Sequence, residues 1–300
     1  MQQCFAQISD PHLSSLEAVR LRDLLSKRLL GYLSWRRKRQ YQHRREVLDA
    51  LQSDLQGFTM DQLLVTGDLT HIGLPTEFQQ ALAWLKQLGE PQQVALVPGN
   101  HDACVKDDWS QTFALWQAYM ASDGERTDFP SLRVRGNIAF IGLSTACPTP
   151  PLMASGSLGP LQLQKLPGLL KQTAADGLFR VVYLHHCPLP GKEKWRKRLT
   201  DANGLESVLS TYGAELVLHG HGHRAHLHTL QRPQGDIPVI AVPSASAMGL
   251  YGAEVAAYNR YRLEPSGNGW QLNIESHRYS LSEKKFVADK AHQLKIPRPQ

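Results

Sequence analysis

The stretch Gln93-Val94-Ala95-Leu96-Val97-Pro98-Gly99-Asn100-His101-Asp102 decides the fold. Its first half is an apolar run of the kind found in strands buried on both faces of a parallel sheet. Its second half stops the strand at Pro98-Gly99 and delivers the polar cluster Asn100, His101 and Asp102. Four other segments repeat this plan. Cys4 to Ile8 leads into Asp10-Pro11-His12, and Gln62 to Thr66 leads into Gly67-Asp68. Phe179 to Leu184 leads into His185-His186, and Glu215 to Leu218 leads into His219-Gly220-His221-Gly222-His223.

Between these runs the periodicity turns helical. Thr76 to Leu88 carries Phe78, Leu82 and Leu85 on one face, Trp109 to Met120 reads as a second helix, and Pro160 to Gln172 starts on a helix-initiating proline. Gly136-Asn137 between Arg133–Val134 and Ile138–Leu143 predicts a hairpin. His226 to Leu230, Val239 to Val242, Ala257 to Leu263 and Gln271 to Ser276 read as further strands. Strands alternating with helices give an α/β domain over 1–281, with a helical, basic insertion at about 13–45. The polar segment 282–300 reads as a peripheral tail.

Strand carboxyl ends in such folds converge on one edge, so the five clusters can meet. Asp10, His12, Asp68, Asn100, His185, His221 and His223 supply seven metal-capable side chains, which suits two ions bridged by a carboxylate better than one. Asp-x-His and His-x-His put alternate side chains on the same side of extended backbone. Gly67, Gly99, Gly220 and Gly222 allow close approach of the chain to the ions. Isolated histidines such as His43, His277 and His292 read as surface residues. Ser244 and Ser246 lie in a small-residue loop without a nucleophile elbow, which reads as a site wall or turn.

The set D-P-H, G-D, G-N-H-D, H-H and G-H-G-H, from Asp10 to His223, resembles the calcineurin-like metallophosphoesterase superfamily, and within it the class III cyclic-nucleotide phosphodiesterases and related bacterial enzymes. The resemblance implies a four-layer αββα sandwich of two mixed sheets. It implies that Asp10, His12 and His223 hold a first ion, that Asn100, His185 and His221 hold a second, and that Asp68 bridges them. His101 would be the catalytic histidine that is not a ligand, Asp102 the acid that orients it, and His186 a residue behind the ligands. Cys187 stands where family members often have proline, and reads as inert. Mixed nitrogen and oxygen ligation suits manganese, iron or zinc. Two cations about 3.5–4 Å apart would supply a bridging hydroxide to attack phosphorus.

Charge bears on the substrate rather than on the chemistry. The chain has 300 residues, with 33 Lys+Arg against 27 Asp+Glu and a formal balance of +6. Ten basic residues against Asp23 between Arg20 and Arg45 make that segment +9 and leave the remainder at −3. Its leucines, Leu21, Leu24, Leu25, Leu29 and Leu33, recur at helical spacing, so it reads as a basic amphipathic helix or helix pair. The plain reading packs those leucines on the core; the sharper one sets the patch on an anionic membrane surface or a phosphate-bearing substrate. Nucleic acid is the weaker partner, although Lys192 to Arg198 around Trp195 adds a second basic run. Scattered cysteines, no signal-peptide pattern and no unbroken apolar span point to a cytoplasmic protein, peripheral to the inner membrane at most.

Three functions follow in order of preference: a phosphodiesterase for a small, cyclic-nucleotide-like diester; a lipid-linked pyrophosphate hydrolase resembling the UDP-2,3-diacylglucosamine hydrolases, with the insertion as a membrane cap; and a non-catalytic membrane or nucleic-acid adaptor. Oligomeric state is not legible.

Overall fold

Twelve strands form two mixed sheets, seen in a computed structural model that describes residues 2–13, 15–17, 19–124 and 128–298. In chain order they are β1 (Gln3–Ile8), β2 (Gln62–Val65), β3 (Val94–Leu96), β4 (Ser131–Arg135), β5 (Ile138–Gly142), β6 (Phe179–Tyr183), β7 (Leu216–His219), β8 (His226–Leu230), β9 (Ile237–Ala241), β10 (Ala257–Ser266), β11 (Gly269–Ser280) and β12 (Lys285–Pro297). One sheet runs β12-β11-β10-β1-β2-β3, the other β4-β5-β6-β7-β9-β8. β1, β2 and β3 are parallel neighbours, as are β5, β6, β7 and β9, so the candidate clusters all leave one end of the sandwich.

The helices are α1 (Arg28–Ser34), α2 (Gln40–Gln42), α3 (Arg45–Gln56), α4 (Pro75–Leu88), α5 (Gln117–Met120), α6 (Gly159–Ala175) and α7 (Ala202–Tyr212). Three apolar layers explain the stacking. Phe5, Leu64 and Tyr261 of the first sheet meet Phe140, Val181 and Leu218 of the second in the middle layer. Val47 and Leu51 of α3 with Phe78 and Trp84 of α4 cover the outer face of the first sheet. Leu166 and Leu170 of α6 with Leu205 and Leu209 of α7 cover the second. This is the four-layer αββα sandwich expected.

Differences from expectation are local. Residues 109–120 do not form one helix: two 3₁₀ turns, Trp109–Gln111 and Phe113–Trp116, precede α5. Thr112 breaks the run with φ −127° and ψ −102°, which lets Phe113 and Trp116 both reach Phe78. Residues 285–297 of the polar tail form β12, hydrogen-bonded to β11 along its length at the sheet edge; Pro299 and Gln300 lie outside the described residues.

The basic insertion, of which Ser14 and Ala18 lie outside the described residues, is a chain of short turns rather than one amphipathic helix. A 3₁₀ turn (Leu21–Leu24), α1, a wide π-type turn (Trp35–Arg39) and α2 follow one another. Most of its leucines do not pack on the core: Leu21 and Leu25 are 85% and 87% exposed, whereas Leu16, Leu24 and Trp35 are buried together with Ile72 and Leu74. Among the described residues no helix is long and apolar enough to cross a membrane.

Candidate metal centre

The loops after β1 and β2 keep pairing beyond the sheet. Asp10 N–H donates to Gly67 O (2.9 Å) and His12 N–H to Asp68 O (3.1 Å), while Gly220 N–H donates to His185 O (3.0 Å). This ladder holds the ligating side chains above the strand ends. Five of the predicted residues, Asp10, His12, Asp68, His221 and His223, have positive φ, between 42° and 66°. Left-handed backbone is costly for side chains with a Cβ, and such strain gathers at functional sites. Gly99 is required for close approach, since a Cβ there would strike the Asp68 side chain and backbone. Gly222 has no such constraint: the nearest atom, Glu193 Oε1, would lie 3.3 Å away.

The side chains fall into two neighbouring sets. Asp10, His12, Asp68 and His223 each offer a donor atom within 4.8 Å of one another. Asp10 Oδ1 lies 3.0 Å from His223 Nε2. On the other side His185 Nε2 lies 3.2 Å from Asn100 Oδ1 and 3.2 Å from His221 Nδ1. Asp68 Oδ2 sits between the sets, 3.4 Å from His185 Nε2 and 4.0 Å from His12 Nε2. All seven residues predicted as ligands are therefore brought together.

The donor set fits metal on its own chemistry. His12 donates Nδ1–H to Thr70 O (2.9 Å) and His185 donates Nδ1–H to Thr66 O (2.7 Å), which leaves each Nε2 lone pair facing the centre. His12 Nε2 and His221 Nε2 are buried without a hydrogen-bond partner. Electrostatics agree. Burial opposes charge on His185, yet the Asp68 carboxylate pushes its pKa up to about 9, so the field at that point favours a cation. His186 has both ring nitrogens engaged, Nδ1 with Thr145 Oγ1 (2.7 Å) and Nε2 with Ala154 O (3.2 Å), and cannot ligate without losing one.

Two contacts differ from expectation. Asp102 does not touch the His101 ring. Its carboxylate accepts from Asp68 N–H (3.0 Å), Gly99 N–H (2.9 Å), Thr70 N–H (2.9 Å) and Thr70 Oγ1 (3.0 Å), and so ties the loop carrying Asp68 to the loop carrying Asn100. The contact that orients His101 is Nδ1–H to His71 O, at 2.6 Å. Burial first, and the Arg39 guanidinium second, push the His101 pKa down to about 3, so the ring is neutral with its Nε2 lone pair free.

The second difference is His43, whose ring lies 4.5 Å from that of His12 and joins His12 and His223 in a group within 4.8 Å. It is a member of the centre rather than a surface histidine. Its Nδ1 is held by Ser246 Oγ at 2.8 Å, so the small-residue loop does wall the site. Nothing in its local sequence signals this, because the contact spans two hundred residues of chain. Cys187 is buried, which pushes its thiol up to about 11 and keeps the thiolate scarce.

A cleft of about 270 Å³ opens over the centre, lined by Arg39, Asp68, Asn100, His101, His221 and His223 with Lys197, Arg224 and Tyr251 at its edge. A larger cleft, about 530 Å³ between Pro91, Leu115 and Arg133, lies at the opposite end of β3 and holds none of these donors.

Residues 5–225 match the family model for calcineurin-like phosphoesterases. The chain belongs to this family. A probable cyclic nucleotide phosphodiesterase of Vesicomyosocius okutanii is 29% identical over 231 residues, covering 75% of this chain and 85% of the relative. A 3',5'-cyclic-nucleotide phosphodiesterase of Nostoc sp. is 28% identical over 287 residues, covering 92% and 93%. Among solved structures, a dimetal phosphatase from Danio rerio superposes with TM-score 0.57 at 14% identity, covering 99% of both chains. A purple acid phosphatase from yellow lupin gives 0.58 at 11% identity, covering 98% of this chain and 54% of that one. These two establish likeness of fold.

Proposed function

We propose that this calcineurin-like phosphoesterase is a binuclear metal-dependent phosphodiesterase acting on a small soluble diester of the cyclic-nucleotide kind. The observation that carries the reading is the Asp68 carboxylate between two donor sets, with His101 beside it in the same cleft. Asp10, His12 and His223 would hold one ion and Asn100, His185 and His221 the other, with Asp68 common to both; manganese, iron and zinc all suit these donors. When bound, such ions polarise a phosphoryl oxygen and make water nucleophilic near neutral pH.

The chain's own residues do the rest. His101, oriented by His71 O, presents Nε2 to the leaving oxygen. A phosphate entering beside it adds negative charge that offsets Arg39 and raises the proton affinity of Nε2, so the ring can take up a proton from solvent water at Nε2 and pass it to the departing alkoxide. Asp102 positions Asp68 through backbone. The two relatives named as cyclic-nucleotide phosphodiesterases support this substrate class.

A second reading rests on the exposed Leu21 and Leu25 within the basic insertion, a surface that suits an anionic membrane and a lipid-linked phosphate. The test assays 3',5'-cyclic AMP, bis(4-nitrophenyl) phosphate and a lipid-linked nucleotide pyrophosphate, with and without detergent. The diesterase reading expects turnover of the first two, indifferent to detergent. Turnover of the lipid substrate alone, with flotation on anionic vesicles at low salt, favours the membrane reading and sinks the first.

A further inference from the structure

Seven of the ten basic residues in 20–45 are exposed, Lys27 and Arg28 bind Met153 O and Asp107 away from the centre, and Arg39 turns into the cleft. The wide turn Trp35–Arg39 is clamped at its start by Trp35, buried against Ile72 and Leu74. Beyond its end Arg44 N–H donates to Ser246 O (3.1 Å) and Met248 N–H to Gln42 O (2.9 Å), which pins the chain to the loop that walls the site. Wide turns of this type open the helical ladder and often occur at functional sites. Between the two clamps an Arg39 guanidinium nitrogen lies 3.1 Å from His101 Nδ1.

That nitrogen cannot donate a full hydrogen bond to His101, whose Nδ1 carries a proton that goes to His71 O. Burial works against the charge of Arg39, and the negative groups that act on it are Asp68 and Asp10. Those are the carboxylates whose charge two divalent cations would neutralise. Among the described residues Arg39 has no carboxylate of its own in hydrogen-bond contact, unlike Arg28, which pairs with Asp107 at 2.6 Å. Lys197 and Arg224, the other cations of the cleft, are exposed. A half-buried guanidinium with no hydrogen-bonded carboxylate is costly, and a phosphate matches its planar fork.

We propose that Arg39 is a substrate-binding residue, holding a non-bridging phosphoryl oxygen of the ester beside His101, and that the basic insertion exists at this point of the fold to deliver it. The inference rests on the phosphoester reading of the centre and adds the residue that grips the phosphate.

The test uses full-length, metal-reconstituted protein as wild type, Arg39→Ala, Arg39→Lys and Arg37→Ala, the last being an exposed neighbour that removes the same charge. Three quantities are measured: metal per chain, the dissociation constant of inorganic phosphate by calorimetry, and kcat and KM on bis(4-nitrophenyl) phosphate. All four proteins should hold equal metal. Arg39→Ala should weaken phosphate about tenfold or more, as loss of a charge-assisted bond does, Arg39→Lys should fall between, and Arg37→Ala should match wild type. Phosphate affinity of Arg39→Ala within about twofold of wild type overturns the proposal. So does an equal loss in Arg37→Ala, or metal loss in both Arg39 variants, which would make Arg39 a support of the centre. Wild type that binds metal and phosphate but leaves cyclic AMP untouched overturns the cyclic-nucleotide reading alone.

Discussion

The Nδ1 of His101 lies 2.6 Å from the carbonyl oxygen of His71, and this contact sets which face of the ring meets the cleft. On the proposed reading a ring held this way would act at the leaving group and not in ion binding, so His101→Asn should keep both ions and lose about a hundredfold to ten-thousandfold in kcat. Elemental analysis beside steady-state kinetics checks it. Loss of metal in parallel with turnover would place His101 among the ion-holding residues.

Asp68 and Asp102 should behave differently from His101. Asp68→Ala removes the carboxylate shared by both donor sets and should abolish metal binding with the fold intact by circular dichroism. Asp102→Ala leaves three backbone N–H groups and the Thr70 hydroxyl unanswered in a buried place, so metal occupancy should fall and stability with it, by about 1–3 kcal/mol or more. An Asp102→Ala protein that binds two ions normally and fails only in kcat would restore the idea that Asp102 acts through His101.

The parts of the site that were legible in the sequence share one cause. Each of the five clusters follows a strand buried by both sheet faces, so an apolar run marks its start and a polar group its end. Arg39 and His43 were not legible because their inward position is set by Ser246 and Met248, far along the chain. The leucines of 21–33 carried a helical period that suggested a buried face, but the segment is anchored through Trp35 instead and leaves most of them in solvent. β12 carries no strand signal in the sequence because an edge strand buries little: of its apolar side chains Phe286 and Ile296 are the buried ones, and backbone pairing with β11 supplies the rest.

Acid should destabilise the fold through Asp54 at the end of α3. Burial alone would raise its pKa, but hydrogen bonds from His277 Nδ1 (2.8 Å) and Tyr258 Oη (2.5 Å), with Arg260 at 2.8 Å, leave it below the ordinary value of 3.8. A depressed folded-state pKa contributes stability that is present above the unfolded value and lost as pH falls through the folded one. Urea midpoints of wild type and Asp54→Asn should therefore differ at pH 6 and converge toward pH 3. A gap that stays constant over that range would mean the contribution of Asp54 is packing and not charge.

Arg180 and Glu215 test whether the sandwich and the centre can be perturbed separately. Arg180, in β6, and Glu215, just before β7, form a buried bidentate pair at 2.8 and 2.6 Å, and Glu215 also accepts Arg180 N–H at 2.7 Å. Arg180 donates further to Leu170 O and Tyr212 O, so the pair ties α6 and α7 to the amino ends of both strands. Removing one partner strands a charge inside the protein, and Glu215→Ala should cost about 3–5 kcal/mol. Replacing both, Arg180→Met with Glu215→Leu, should recover part of that, but not all, because the backbone N–H of Arg180 loses its acceptor. His185 lies five residues beyond Arg180, roughly 16 Å along an extended strand. Metal content and kcat of the folded fraction should therefore stay at wild-type values at 25 °C while the urea midpoint drops. Equal loss of metal affinity and stability would show that strain at the amino ends of β6 and β7 reaches the ligands, and that the sheet does not insulate its two ends.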